Sequence, residues 1–412
     1  MQRRDLLKWP GLGLLAACTP PGRSAPASQL DAGNRQLLGY LRTNWSRDPF
    51  AFGAYSFIAK GASRADYQAL AEPVSDRVFF AGEATHPDYN STVHAAYESG
   101  LLTAEKLLGS KAQNIAIIGA GISGMAAAAR LRQAGLEVTV FEARKRLGGR
   151  IWTSTALGLP LDLGASWIHG DDGNPLTGLA AAMDLPATAT DDGYITRGRG
   201  GRRIADRATE AWFDDVLTIQ HTAGAARSEI NLSAYGMSDD YDGDDLLLPR
   251  GYGQILAALS DALPVQLATD IQLIDFAGDG VMLTDQNGAN HHADAVVVTV
   301  PLGVLKHQKV TFNPALPAAK QTAIKRLGMG VLDKLYLKFA EVFWDQEVTW
   351  IGTPETGLPR GQFNQWLNLA PYLNEPVIMA FNGGPPARDL AALDDAVIIQ
   401  RALQTLNEAY PA

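Results

Sequence analysis

One stretch constrains the fold more than any other: residues 114–150, NIAIIGAGISGMAAAARLRQAGLEVTVFEARKRLGGR. Residues 115–118 are a short apolar run, the pattern of a buried parallel strand. Gly119, Gly121 and Gly124 follow at GxGxxG spacing. The first allows a tight turn, the second lets a pyrophosphate approach the backbone, and the third lets helix and strand pack closely. Residues 126–131 are good helix formers, and residues 138–141 read as a second strand. Glu142 closes that strand 23 residues after Gly119, where an acid can take a ribose hydroxyl pair. Glycines alone would be weak support, but strand, turn, helix, strand and acid in order mark a dinucleotide site.

The chain is 412 residues long and 46% hydrophobic, enough for a large core and two or three domains. Its net charge of -9 repels a phosphate backbone, so nucleic acid is not an expected partner. The single cysteine, Cys18, excludes an internal disulfide framework and a cysteine zinc site, and no metal is expected. The chain starts with Arg3-Arg4, a short apolar run, Leu15-Ala16-Ala17-Cys18 and a Pro/Ser/Gly-rich stretch. This resembles a bacterial export signal with a lipoprotein cleavage box. It predicts a periplasmic protein or one lipid-anchored to the bacterial envelope through Cys18. The apolar run is too short to span a bilayer, and no other segment reads as transmembrane.

The fingerprint does not separate NAD from FAD; the flanking residues do. After Glu142 come Arg144 and Gly148-Gly149-Arg150, where paired glycines permit close approach and Arg150 can pair with phosphate. Residues 161–170 read LDLGASWIHG, 293–306 ADAVVVTVPLGVLK, and 312–339 FNPALPAAKQTAIKRLGMGVLDKLYLKF. FWDQEVTW and WLNL follow near 343–350 and 366–369. In combination these motifs resemble the flavin monoamine and polyamine oxidases over nearly all of residues 36–412. The resemblance implies an α/β fold: an FAD-binding Rossmann-like domain with an interleaved α+β substrate domain. Residues 1–34 would be signal and linker. Substrate-domain segments would cover 35–77, 171–265 and 307–412, with FAD-domain segments at 78–170 and 266–306. FAD would be bound non-covalently, because covalent members use a cysteine near the flavin.

The order of the blocks departs from that family. Residues 43–108, including FAGEAT and the helix-forming run to Leu108, would normally close the chain, yet here they precede the glycine turn. The sequence therefore reads as circularly permuted. Residues 78–108 are expected to pack as a strand and helix against the strand beginning at Ile115. The segment between Gly170 and Pro249 is also shorter than the family's, so part of the substrate wall is expected to be missing. It carries an acidic run, Asp239, Asp240, Asp242, Asp244 and Asp245, which suits either a solvated loop or attraction of a polyamine.

The resemblance assigns FAD contacts to Gly119, Gly121, Gly124, Glu142, Arg144, Gly149, Arg150, Gly164, Ala165, Ser166, Trp167 and Ile271. Glu83, through a ribitol or ribose hydroxyl, and Thr92 and Val93 at a helix start join them. Lys334 matches the lysine that reaches flavin N5 through a water, with Lys338 as its rival. Tyr55 matches the first wall of the aromatic sandwich, Thr92 takes the position of the second, and His169 is a polar contact or base. Tyr89 is near in sequence but off the aligned position. The implied reaction moves a hydride from the carbon beside an amine nitrogen to flavin N5. The imine is then hydrolysed, and oxygen is reduced to hydrogen peroxide. An L-amino-acid oxidase, a flavin desaturase or dehydrogenase, and an inactive FAD-binding relic remain the alternatives.

Overall fold

The computed structural model describes residues 35–205, 212–235, 239–260 and 263–411. Cys18 and the signal-like leader lie outside the described residues. Among the described residues no helix is long and apolar enough to cross a membrane.

The glycine-turn unit forms as its pattern dictates. Strands Asn114–Ile118 and Glu137–Glu142 pair in parallel around helix Ile122–Gln133. They are the middle of a five-stranded sheet in the order Val265–Leu267, Glu137–Glu142, Asn114–Ile118, Ala295–Val298, Val78–Phe80. All four pairings are parallel. Such strands are covered on both faces and so read as apolar runs rather than alternating ones.

The block 78–108 enters this sheet, but not in the expected place. Strand Val78–Phe80 does not touch the strand from Ile115; Ala295–Val298 lies between them and pairs with both. Helix Val93–Leu108 does pack on Ile122–Gln133, burying Ala104 and Leu107 with Ile115, Ile117 and Met125. Gly100 makes that approach close: a Cβ there would lie 2.2 Å from the Ser123 carbonyl oxygen. The nucleotide side also takes Tyr252, Ile255, Leu256 and Leu259 into the same core, upstream of the residue 266 boundary expected from sequence.

A second, seven-stranded sheet runs in the order Leu37–Arg42, Leu332–Phe339, Val377–Gly383, Gln365–Asn368, Trp350–Gly352, Tyr194–Arg197, Arg203–Ile204. Strand Leu332–Phe339 has the two-residue alternation of a sheet with two different faces. Leu335, Leu337 and Phe339 bury against helix Asp395–Ala409 through Ile398, Ala402 and Leu406. Tyr336 points the other way, into a core with Leu161 and Leu163. Lys334 shares that face and also meets the segment around 162–166.

Candidate active site

The carboxyl ends of the parallel strands all open onto one cavity of about 970 Å³. Gly119 and Gly121 follow the first strand, Glu142 ends the second, Thr299 follows the third, and Gly82 and Glu83 follow the edge strand. This is the crevice where open α/β sheets bind ligands. The far wall combines Lys334, Trp350 and Phe381 of the seven-stranded sheet with Trp167 of a small three-stranded sheet and Tyr55 of a neighbouring segment.

The turn fits a pyrophosphate. Gly119 sits at φ +107°, in the region that favours glycine. A Cβ on Gly124 would lie 2.0 Å from the Gly119 oxygen, so the helix can approach the strand only with glycine there. Gly121 is different: its Cβ would meet nothing nearer than the Gly148 oxygen at 3.9 Å, because the space beside it is cavity. Gly121 is also the N-cap of the 12-residue helix and supplies no side-chain cap. The first-turn amides are thus available to an anion.

Glu142 is buried and accepts from the amides of Ala120 and Arg144, both at 2.8 Å. Burial raises its pKa, and the two amide bonds oppose the rise. Ile271 lines the same end of the cavity. The two arginines are engaged by protein carboxylates. Arg144 makes a two-pronged pair with Asp48 at 2.6 and 2.9 Å. Arg150 donates to Glu83 at 2.7 Å and to the Ala54 oxygen at 2.9 Å. Glu83 also accepts from the Ser56 hydroxyl at 2.5 Å and the Ser91 amide at 3.1 Å. Its carboxylate is therefore supplied with protein donors, although it borders the cavity. Arg144, Gly149, Gly164, Ala165, Ser166, Trp167, Thr92 and Val93 line the cavity as well.

At the other end the Lys334 ammonium is buried and donates three bonds. Its acceptors are the Asp162 oxygen at 2.9 Å, the Gly164 oxygen at 2.6 Å and the Ser166 hydroxyl at 2.5 Å. Burial lowers its pKa to about 8, while the Asp162 charge opposes the shift. Trp167, Trp350 and Phe381 lie at 6.0–6.3 Å between ring centroids, and the Lys334 nitrogen is 5.9 Å from the first and the last. Lys338, the rival, pairs instead with Glu375 at 3.0 Å and does not line the cavity.

Tyr55 borders the chamber and donates its hydroxyl to the His221 main-chain oxygen, and burial raises its pKa. Thr92 is the N-cap of Val93–Leu108: its hydroxyl accepts from the Ala95 amide and donates to the Tyr89 oxygen. His169 is exposed at the rim and pairs with Asp245 at 3.1 Å. Asp240 and Asp245 are the members of the acidic run that line the cavity. Sequence reasoning singled out none of Asp162, His221, Gln365, Trp350 and Phe381. The imidazole of His221 meets the Gln365 side chain at 2.7 Å, and burial lowers its pKa to about 4.

These features define a dinucleotide-binding protein whose cofactor cleft continues into an aromatic-walled chamber. The profile of the "flavin containing amine oxidoreductase" family matches residues 22–108, 122–231 and 197–412. The chain belongs to that family, and its cofactor is FAD. A pyridine nucleotide-disulphide oxidoreductase profile also matches residues 76–160, the nucleotide-binding unit. Among curated relatives, lysine-specific histone demethylase 1 homolog 2 of Oryza sativa subsp. japonica is 29% identical over 354 residues, 73% of this chain and 46% of that protein. The chain thus spans about half the length of that relative. Polyamine oxidase 3 of the same plant is 30% identical over 355 residues, 72% of this chain and 73% of its own. A solved double mutant of putrescine oxidase, redesigned in its cofactor binding, shares the fold with a TM-score of 0.53 at 19% identity. That match covers 72% of this chain and 81% of the mutant chain.

Proposed function

We propose that this protein oxidises a primary or secondary amine, polyamine-like in its chain, at the carbon beside nitrogen. The observation that carries the reading is Lys334, a buried ammonium held by Asp162, Gly164 and Ser166 on the wall of the cavity that begins at the glycine cradle. Bound FAD would supply a two-electron acceptor that oxygen regenerates with release of hydrogen peroxide. The protein's own groups then have three tasks. Gly121 and the first-turn amides would hold the pyrophosphate, and Glu142 would take the ribose. Tyr55, Trp167, Trp350 and Phe381 orient the amine and exclude water from it. The Lys334 ammonium stabilises negative charge gained nearby. The amine would give a hydride from its α-carbon to that acceptor and a proton from its nitrogen, and water would hydrolyse the imine to an aldehyde, with ammonia released from a primary amine or the shortened amine from a secondary one.

The charges on the cavity favour an amine over an amino acid. Both arginines on its lining are held by Asp48 and Glu83, which leaves neither free for a substrate carboxylate. Asp240 and Asp245 add negative charge to the lining and suit a cationic substrate. The names of the polyamine oxidase relative and the putrescine oxidase neighbour agree with this class. The deciding experiment records the visible flavin spectrum of the purified chain and assays peroxide with putrescine, spermidine, benzylamine and several L-amino acids. Peroxide with an amine supports the reading; bound flavin that no amine bleaches without oxygen would overturn it.

The block order is proposed as a circular permutation. Two contacts support it: Val78–Phe80 joins the same sheet as Asn114–Ile118, and the Arg35 guanidinium bonds to Asn407 and to the Tyr410 oxygen. The leader sequence supports export, with Cys18 as the lipid attachment point. Membrane fractionation of the native chain and of Cys18→Ala tests this, and equal soluble distribution of both would end the anchor proposal.

A further inference from the structure

We propose that Asp162 is a positioning residue for Lys334, anchoring the ammonium with its main-chain oxygen and keeping it charged with its buried carboxylate. The inference rests on the amine-oxidase reading of the site and gives a role to the Asp162 carboxylate, which that reading does not use.

Asp162 ends strand Leu161–Asp162, which pairs with Thr153–Ser154. Its main-chain oxygen receives two donors from one face of the neighbouring strand: the Lys334 ammonium at 2.9 Å and the Tyr336 hydroxyl at 2.6 Å. Two residues apart on a strand, Lys334 and Tyr336 must point the same way. The carboxylate is held separately. The Thr153 hydroxyl donates to it at 2.5 Å, and the Tyr252 amide reaches both oxygens at 3.1 Å.

No lysine, arginine or histidine among the described residues makes an ion pair with this carboxylate. The titratable groups that feel it are Lys334, Tyr336 and Tyr252. Lys334 is the cation among them, and its ammonium has only neutral oxygens as hydrogen-bond partners. A buried ammonium among neutral acceptors tends to lose its proton, and a nearby fixed carboxylate opposes that loss. Burial moves the two groups toward each other, Asp162 up to about 6 and Lys334 down to about 8. Between those values both are ionised, and outside them one partner is neutral.

The test uses the full-length holoprotein and two readouts across pH 6–10. One is the rate of flavin reoxidation by oxygen. The other is the visible absorption band of the resting flavin, which does not depend on turnover. Asp162→Asn keeps the side-chain size and removes the charge. The expected result is unchanged FAD content with the alkaline limb of both readouts moved about one pH unit lower. Lys334→Met should abolish the limb. If Lys334→Met abolishes it while Asp162→Asn leaves it in place, the role of Asp162 is overturned and the lysine assignment stands. If Lys334→Met keeps the native limb, the reading of Lys334 falls, and this inference with it. Should Asp162→Asn not retain FAD, Asp162→Ser takes its place. It also removes the charge and should move the limb in the same direction; an unmoved limb overturns the proposal.

Discussion

Lys334 and Asp162 meet at the seam between the two large sheets, with the lysine nitrogen 2.9 Å from the Asp162 main-chain oxygen. They are 172 residues apart in sequence. Neither the strand of Lys334 nor the hairpin of Asp162 would form this contact alone, because the lysine's desolvation is offset only by acceptors from another element.

Replacing that lysine tests the chemistry of the chamber. Lys334→Met keeps the length and removes the charge. It takes the lysine donor from the Gly164 oxygen and the Ser166 hydroxyl, while the Asp162 oxygen keeps the Tyr336 hydroxyl. Unpaired buried acceptors cost about 1–3 kcal/mol, so a modest fall in melting temperature is expected. FAD should remain bound. Turnover should fall about 10–1000-fold, the scale of losing one well-placed electrostatic contact. Stopped-flow measurement of flavin reduction and reoxidation locates the defect, and rates within about twofold of native would make Lys334 a structural residue.

Two glycines of one turn should respond in opposite ways. Gly121 has φ -74° and cavity beside it, so Gly121→Ala should leave the apoprotein's stability nearly unchanged while weakening FAD binding. Gly121→Val, with two further methyls, should abolish binding with the fold intact. Gly124→Ala puts a carbon 2.0 Å from a backbone oxygen and should destabilise the apoprotein by about 1–3 kcal/mol. Urea unfolding of apoprotein and absorbance ratio after desalting separate the two effects. Equal loss of stability in both alanine variants would contradict the geometry.

Acid should weaken the fold through His94. This side chain is 2% exposed, its Nε2 has no partner, and burial lowers its pKa to about 4 from 6.5. A depressed histidine pKa means that the unfolded chain binds the proton more readily. The contribution is present above pH 6.5 and lost as pH falls toward 4. Between pH 7 and pH 5 the loss is about 2 kcal/mol. The variant His94→Gln should show a correspondingly flatter stability profile over that interval. Parallel profiles from urea unfolding at the two pH values would refute the assignment.

The chain order can be tested by rewiring. Joining residue 410 to residue 35 through a short linker and opening the chain at 109–113 should give a protein that binds FAD. Arg35 already bonds to Asn407 and to the Tyr410 oxygen, and residues 109–113 only connect Val93–Leu108 to Asn114–Ile118. A rewired chain that folds without FAD, judged by its flavin spectrum, would reject the permutation.

The nucleotide-binding unit was legible because its signals are local. Residues 126–131 lie inside helix Ile122–Gln133, and 138–141 lie inside Glu137–Glu142. The glycine spacing located the turn, since φ +107° at Gly119 and the close approach at Gly124 are properties of single positions. Strand Leu332–Phe339 carries a local alternation as well, and Asp333, on the face opposite Lys334, accepts from the Thr43 hydroxyl and the Trp45 amide at 2.8 Å each. Period-two side chains depend only on the strand that carries them.

What tertiary structure decided was partnership. Sequence placed Arg144 and Arg150 beside the cofactor but not the pairs with Asp48 and Glu83, 96 and 67 residues away. It expected Val78–Phe80 against the strand from Ile115, yet Ala295–Val298 took that neighbour's place. It put Thr92 at the position of the second wall, where the hydroxyl caps a helix beside the cavity, and did not single out Trp350 and Phe381 on the opposite sheet. Glycine turns and apolar periods are fixed by backbone sterics within a few residues. The identity of a buried group's partner is fixed by which surfaces the packed sheets bring together, and a carboxylate or ring from any distant segment can satisfy it.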